Sequence, residues 1–303
     1  MPLTEDELRV LRAAMGESDD LDHVNAVLAE VSERRNTTPL DDFAGLSPDE
    51  MTYFLYMPFD SPEYIQLPQV LQVEPEAPIL ELLMPLFEEL ASAPIKLTAK
   101  GNLPTRIVKE RAAVYRPQHD SHPELSADFA HKEDSFPDLH RVRTVAELAG
   151  LLRKQHGKLF LTNKAEKLLR EHGARGIYPV LLRTYLGKFN WAYMDHFDEL
   201  PLIQQSWAFT CYLLQHFGPA ERPLSFYVER FLRAFPMLIE EVEPSNMTAE
   251  EAVGYAYRNR ALVRFLGLFG LAQHSWEKVP MAMPIGSVKP TALMMEAVQL
   301  QVR

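Results

Sequence analysis

Hydrophobic and polar residues alternate along the chain with two periods, and the helical period dominates. Apolar residues recur three or four positions apart, as on one face of a helix, over 5–11, 21–31, 48–55, 79–90, 138–148, 176–188, 200–217, 224–235 and 248–268. Strand-like alternation is confined to short, paired segments near 151–161 and 271–289. The pattern predicts a mainly α protein with small β-hairpins, arranged as an elongated or a single compact body.

One local pattern occurs three times: a periodic apolar segment, a short β-type stretch with a Lys, and a Thr that opens a helix. The copies span 95–104, 158–169 and 288–295, with Thr98, Thr162 and Thr291 as the threonines. Thr favours this position because its side-chain oxygen accepts a hydrogen bond from a free backbone N–H of the first turn. Helix, hairpin and capped helix form the back half of a winged helix-turn-helix, so the chain is predicted to contain several winged-helix-like units.

These signals divide the chain into five predicted regions. Residues 1–36 form an acidic helical hairpin, and residues 40–115 a first, degenerate winged-helix-like unit. A loop rich in Pro, His, Ser and Asp follows over 116–137. The second winged-helix-like unit covers 138–190, and a helical region ending in the third unit covers 191–303. Only the second unit combines a basic helix, a short hairpin and a capped helix.

Charge is distributed unevenly among these regions. The net charge of −11 disfavours a general nucleic-acid binder. Residues 1–94, however, hold 4 Lys/Arg against 20 Asp/Glu, whereas residues 95–185 hold 17 against 10. An acidic front beside a basic middle indicates either an anion-binding face or two regions that pair with each other. The sequence leaves both alternatives open.

The basic residues of the first two copies are the candidates for contacts with nucleic-acid phosphates. They are Arg141, Arg143, Arg153, Lys154, Lys158, Lys164, Lys167, Lys96, Lys100, Arg106 and Lys109. In a winged helix, the helix before the hairpin enters the major groove and the hairpin follows the backbone. We therefore expect a non-enzymatic regulatory protein that binds duplex DNA, with an affinity that falls steeply with salt.

Two alternatives remain beside nucleic-acid binding. Lys and Arg are also common on solvated helix faces and exposed strand edges. A protein-interaction scaffold that captures a partner through its acidic N-terminal region is therefore the first alternative, and the oligomeric state stays open. The second alternative is a metal-dependent hydrolase that uses Asp195 and His196, or histidines of the loop region such as His119, His122 and His131.

Most of the remaining chemistry indicates structure rather than catalysis. No catalytic residue, metal site or cofactor is predicted, because the chain has no Gly-rich phosphate loop or nucleophile elbow and its polar 195–199 segment is typical of a connector. The aromatic residues of 188–193 and Trp207 have the spacing of a helical core. The single cysteine, Cys211, excludes an intrachain disulfide. Together with the absence of a membrane span and of a signal peptide, it predicts a cytoplasmic protein.

Several strings of the sequence carry a resemblance. They are Gly45-Leu46-Ser47-Pro48, Pro58-Phe59-Asp60-Ser61-Pro62-Glu63, Leu97-Thr98-Ala99-Lys100-Gly101-Asn102-Leu103-Pro104, Lys132-Glu133-Asp134, Asp138-Leu139-His140, Glu147-Leu148-Ala149-Gly150-Leu151-Leu152, Lys188-Phe189-Asn190-Trp191-Ala192-Tyr193 and Phe231-Leu232-Arg233-Ala234-Phe235-Pro236. With these strings the chain resembles a group of uncharacterised bacterial proteins, some of them linked to plasmids or other mobile elements. The group implies no activity or catalytic residue. Residues 138–169 also resemble the recognition helix, wing and following helix of MarR-type regulators, although the turn at 154–157 is much shorter.

Overall fold

A computed structural model describes most of the chain. The described residues are 21–119, 132–193, 197–243, 246–277 and 285–302, together with the single positions Glu5, Leu8, Arg9, Arg12, Ala13 and Asp195. Most of the first half of the predicted acidic hairpin lies outside them. The second half of the predicted N-terminal hairpin is a helix, as expected.

Helices make up most of the described residues. In chain order they are α1 (Leu21–Thr37), α2 (Pro48–Tyr56), α3 (Pro78–Ser92), α4 (Thr105–His119), α5 (Pro137–Leu148), α6 (Asn163–His172), α7 (Ala174–Gly187), α8 (Pro201–Gln205), α9 (Trp207–Phe217), α10 (Leu224–Ala234), α11 (Ala249–Tyr257), α12 (Leu266–Leu268) and α13 (Ala292–Ala297). A π-helix, Arg258–Phe265, joins α11 to α12. Short 3-10 turns lie at Asp41–Phe43, Glu133–Ser135 and Pro236–Glu241.

The strands are short and pair in three small antiparallel sheets. They are β1 (Ile65–Gln66), β2 (Ile95–Lys96), β3 (Leu152–Gln155), β4 (Lys158–Leu161), β5 (Arg222–Pro223), β6 (Ala272–Glu277), β7 (Ile285–Pro290) and β8 (Gln299–Leu300). The sheets have the orders β1-β8, β2-β4-β3 and β5-β7-β6. The prediction of a mainly α chain with small hairpins is confirmed.

The first three-stranded sheet joins two regions that the sequence pattern separates. β2 pairs with β4, so that Ile95 lies opposite Leu159 and Lys96 opposite Lys158. The segment predicted as a separate first unit thus adds its strand to the hairpin of the second. The hairpin itself turns tighter than expected, because only His156 and its glycine neighbour, both with positive φ, form the turn. We call residues 78–172, from α3 through α6, the first unit.

Residues 207–297 repeat this order of elements. Both parts of the chain have the order helix, strand, helix, helix, strand, strand, helix. In the first part these elements are α3, β2, α4, α5, β3, β4 and α6. In the second part they are α9, β5, α10, the long helix of α11 and α12, β6, β7 and α13. The first strand of each set pairs with the last, and the last pairs with the middle one. Two successive parts of the chain therefore share one topology. We call residues 207–297 the second unit.

Thr162 and its surroundings close the first unit. The Thr162 amide donates to Leu151 O at 3.1 Å, and its hydroxyl donates to Gly150 O at 2.8 Å. The same hydroxyl oxygen accepts from the Ala165 amide at 3.2 Å and so caps α6. Gly150 has a φ of 68°, which lets α5 end in a left-handed residue.

Thr291 makes the same three bonds in the second unit. It donates its amide to Leu271 O at 3.0 Å and its hydroxyl to Gly270 O at 2.7 Å. The Met294 amide then donates to the Thr291 oxygen at 3.3 Å. The second and third copies of the predicted pattern are confirmed as helix-opening threonines. The first copy is wrong: Thr98 accepts from the Asn102 amide in a tight turn, and the next helix begins only at Thr105.

Removing either capping hydroxyl is expected to destabilise the fold. Thr162→Ala and Thr291→Ala each lose a cap and leave a glycine carbonyl without its hydroxyl donor, at a cost of about 1–2 kcal/mol each. Thr52→Ala is the control, because Thr52 is exposed and only bonds back to Pro48 O within α2. Urea unfolding of the three variants checks the order. A Thr52 effect as large as the other two would contradict it.

Helix α7 connects the two units through the core. It packs on α5 of the first unit, and its Tyr185 ring lies 6.1 Å from Phe265 and 5.0 Å from Phe269 of the second. Phe189, Trp191 and Trp207 are also buried, which confirms these three rings as core, whereas Tyr193 is 44% exposed. Cys211 is buried too, and burial raises the pKa of its thiol. Within the described residues, every helix is too short or too polar to span a membrane.

Candidate nucleic-acid interface

The solvent face of the first sheet carries three cationic side chains and one aromatic ring. Its outward side chains, which we call the basic sheet face, are Lys96, Arg153, Gln155, Lys158 and Phe160. The alternate residues Leu159 and Leu161 are buried, because successive side chains of a strand point to opposite faces. Apolar burial on one side therefore fixes the register that presents the charges on the other.

Lys96 and Lys158 are directly opposite each other on neighbouring strands. Directly opposed side chains lie roughly 5 Å apart at Cβ, and like charges at this position destabilise a sheet. Among the residues that the structure describes, neither ammonium group has an ion-pair partner, and both side chains are exposed. A bound anion would stabilise the pair of Lys96 and Lys158, because it would screen the repulsion between the two ammonium groups.

Arg153 lies over the ring of Phe160, with its guanidinium carbon 4.8 Å from the ring centroid. It also donates to the Gln155 side chain. The contact with the ring restrains the guanidinium on this face of the sheet, and Phe160 itself stays partly exposed. A planar guanidinium suits phosphate, because it can donate two parallel hydrogen bonds to its oxygens.

Several further candidates lie on the surface near these strands. Lys100, in the turn after β2, and Lys109 and Lys167, on α4 and α6, are exposed. Lys154 points to the other side of its strand and lies 3.2 Å from Glu147. Lys164 donates to Ala149 O at 2.7 Å and so satisfies a carbonyl group at the C-terminal end of α5.

Arg106 is a candidate with carboxylates already in place. It binds both Glu89 and Glu110, and these contacts raise the pKa of its guanidinium. Its charge is therefore balanced locally, although the side chain is exposed. Six exposed candidates have neither a carboxylate nor a backbone partner among the residues that the structure describes, and they remain the stronger candidates: Lys96, Lys100, Lys109, Arg153, Lys158 and Lys167.

Arg141 and Arg143 do not face solvent. Arg143 is only 2% exposed and donates to Glu133 at 2.6 Å, with Glu147 as a second partner. Arg141 is buried and donates to Asp138 at 2.6 Å. The expectation that these two residues contact phosphate is corrected by their placement, because both guanidinium groups are used inside the protein.

Helix α5 is consequently not arranged to read a major groove. Leu139, Val142 and Val145 pack into the core on one side, and α7 packs against the helix on another. His140, on the side nearest to solvent, lies parallel to the Tyr193 ring, 6.0 Å away. A groove-reading helix needs an open face of several residues, whereas only the end residues of α5, Pro137 and Leu148, are exposed and the residues between them are buried or half-buried.

Glu133 holds the start of α5 in place. Its Oε1 accepts from Arg143 at 2.6 Å and lies 2.9 Å from His140 Nδ1, while Oε2 accepts from the Leu103 amide at 2.6 Å. Burial alone would raise the pKa of this carboxyl. The bond with His140, the charge of Arg143 and the Leu103 amide outweigh burial, so the pKa lies below its usual range.

Asp195 plays the corresponding role for the second unit. Its carboxylate is buried and accepts two bonds from Arg260, at 2.7 and 2.9 Å, and one from Arg264 at 3.0 Å. The π-helix supplies both arginines, and their guanidinium groups meet at this one carboxylate. Burial would raise the Asp195 pKa, but the Arg260 bonds and both positive charges lower it.

This placement bears on the predicted hydrolase alternative. The Asp195 carboxylate is engaged by two guanidinium groups, while His196, His122 and His131 lie outside the described residues. His119 lies 2.7 Å from Glu81. The described part of the chain contains no group of three or more metal-binding side chains.

The second unit offers a nearly neutral version of the same sheet. The positions that correspond to those of the basic sheet face are Pro223, Gln273, Ser275, Ser287 and Lys289, which include a single cation. The same face continues to the exposed Glu277. Two units of one topology thus differ in the charge of one face. The sequence indicates which unit is basic but not the face that carries the charge, because this face depends on pairing β2 with β4 across more than sixty residues.

The geometry defines a mainly helical protein in which two units of like topology pack around α7, one with a basic sheet face. Residues 76–174 match the family model described as the Y4jL N-terminal domain, a family of uncharacterised proteins. The match spans the whole first unit and ends where α7 begins. It confirms, for this segment, the predicted resemblance to uncharacterised proteins. The similarity to MarR-type regulators stays a prediction. No curated protein and no solved structure matches the chain significantly.

Proposed function

We propose that the chain binds nucleic acid through the basic sheet face, and that both units are winged-helix-like. The observation that carries the proposal is the exposed, directly opposed pair of Lys96 and Lys158 beside Arg153. A small hairpin after the third helix is the element that a winged helix lays along a phosphate backbone. Duplex DNA is the expected partner, as a regulatory or mobile-element-associated protein would require.

The burial of α5 changes the kind of binding that we propose. Sequence is read by side chains in the grooves, while phosphate contacts position the protein without reading bases. Arg141 and Arg143 are used internally, so the wing supplies the contacts and the proposed binding depends little on sequence. Three phosphate contacts would give a log-log salt slope of about −3.

Charge removal on the basic sheet face tests the proposal. The triple variant Lys96→Gln, Arg153→Gln, Lys158→Gln is expected to lower duplex affinity at least about tenfold at low salt and to flatten the salt slope. Fluorescence anisotropy with two labelled duplexes of unrelated sequence measures both. The melting temperature of the variant should change little, because losing the exposed contacts of Arg153 with Phe160 and Gln155 is offset by removing the repulsive pair of Lys96 and Lys158.

Lys289→Gln is the matched control, since it removes the cation from the same face of the second sheet. We expect it to leave duplex affinity unchanged within about a factor of two. No binding at low salt, or equal loss in both variants, would contradict the proposal. Absence of binding would favour the alternative of a protein-interaction scaffold, which the acidic residues 1–94 support.

A further inference from the structure

A cavity of about 460 Å³ lies where α2, the segment after α7 and the start of α9 meet. Its lining includes Phe59, which follows α2, and Trp191 and Trp207. Small-molecule sites commonly enclose about 300–1,000 Å³ with mostly apolar walls and a few polar groups. We call this cavity the ring pocket. It shares no residue with the basic sheet face.

Aromatic rings form its walls and its rim. Trp191 and Trp207 are nearly fully buried, whereas Phe59 is 39% exposed and Tyr56, also in the lining, is 68% exposed. The Phe59 and Trp207 centroids are 5.9 Å apart. Large exposed rings beside a cavity are unusual on a monomeric surface, where exposed apolar patches mark binding sites. A planar guest would bury them.

Arg260 makes the wall of the ring pocket rigid. Besides its bonds to Asp195, it donates to Asp198 O and to Glu199 O, each at 2.7 Å. Leu200, which follows Glu199, has a φ of 41° and a ψ of 65°. This left-handed conformation is one that a leucine rarely adopts. Strained residues persist where their surroundings fix them, and they cluster at ligand sites.

Gln204 holds the opposite side. Its amide nitrogen donates to Leu186 O at 3.0 Å and to Phe189 O at 2.8 Å, and its oxygen accepts from the Trp191 amide at 3.1 Å. The Trp191 indole N–H donates to Tyr185 O at 2.9 Å. The walls therefore keep their shape without a guest, which lowers the entropy that binding would cost.

We propose that the ring pocket binds a small planar aromatic group without net charge. Lys188 and Glu199 line the opening, both exposed, and their charges cancel. Arg260 is 1% exposed, and its guanidinium is bonded to Asp195 and to two backbone carbonyls. Ring faces prefer offset or edge contacts with other rings, so an aromatic guest gains affinity over a saturated one of similar size. This activity is separate from the proposed nucleic-acid binding.

Fluorine NMR of the protein labelled with 5-fluorotryptophan tests the proposal directly. The chain has three tryptophans, of which Trp191 and Trp207 line the ring pocket and Trp276 does not. On titration with indole, the resonances of the first two should shift saturably while that of Trp276 stays in place. Cyclohexylmethanol should bind about tenfold more weakly, and tryptamine and indole-3-propionate no more tightly than indole.

Variants separate a real site from general adsorption. Phe59→Ala is expected to weaken indole binding about tenfold, while Phe160→Ala, on the basic sheet face, leaves it unchanged. Tyr56→Ala gives a second reading at the rim if the Phe59 variant does not fold. Non-saturating shifts, equal shifts at all three tryptophans, equal binding of the saturated ring, or unaltered binding by both rim variants would each overturn the proposal.

Discussion

Asp195→Ala is expected to lower the free energy of unfolding by about 3–5 kcal/mol, because it leaves the buried Arg260 without its counter-ion. Arg260 is 1% exposed and cannot turn to solvent. Its remaining partners are two backbone carbonyls of the 198–199 segment. Arg264 loses the same carboxylate, and burial together with the charge of Arg141 already lowers its pKa.

Asp198→Ala is the matched control for this change. Asp198 lies three residues away with an exposed side chain, and it serves Arg260 only through its backbone oxygen. Its replacement should cost no more than about 0.5 kcal/mol. Urea unfolding measures both variants. The double variant Asp195→Ala, Arg260→Met should recover part of the loss, since it removes the unpaired charge. Similar losses in the two single variants would refute the assignment.

The local elements of the fold follow from the sequence. The hairpin of β3 and β4 and the caps at Thr162 and Thr291 depend on neighbours within a few residues, and they are present. Most of the long helical segments are present too, although 200–217 is divided at Ser206 into α8 and α9. Capping and turn chemistry act over such distances, so pattern and structure agree there. The error at Thr98 has the same origin. A Thr after a β-type stretch also begins a tight turn, and Pro104 delays the next helix.

Long-range pairing was the part that the sequence could not provide. β2 has two residues and no hairpin partner nearby, so its pattern does not show that it pairs with β4. The candidate basic residues were consequently assigned to two separate units rather than to one sheet. Lys96 and Lys158 become neighbours only through this pairing, and the basic sheet face therefore emerges from the fold.

The burial of the α5 arginines had a detectable signal. Asp138 lies three residues before Arg141, and Glu147 lies four residues after Arg143, spacings at which opposite charges pair along a helix. Such spacing favours arginines that are used within the protein. Glu133 adds a partner from outside the helix that no periodicity reveals. Phosphate contacts by Arg141 and Arg143 were predicted from their positive charge alone, without their carboxylate partners.

Glu133→Gln is expected to cost about 3 kcal/mol at neutral pH, the second large effect in the protein. The amide keeps the shape but loses the charge that faces Arg143. The amide nitrogen of the glutamine must replace one of the two carboxylate oxygens of Glu133. Its N–H groups then face either Arg143 or the Leu103 amide, which are themselves donors and lose their acceptor. Asp134→Asn is the matched control, because Asp134 is exposed and only accepts from the Asn102 side chain.

The difference in unfolding free energy between the native chain and Glu133→Gln is expected to depend on pH, and this dependence identifies its electrostatic part. The Glu133 pKa is lowered in the folded state, so its contribution is complete above the usual carboxyl pKa of about 4.3 and disappears as the pH falls through the folded-state value. The gap in unfolding free energy between the native chain and Glu133→Gln should therefore narrow below about pH 4. The Asp134→Asn variant should show no such narrowing. A gap that stays constant in acid would mean that Glu133 acts through shape, and the charge that fixes α5 inside the first unit would have to come from elsewhere.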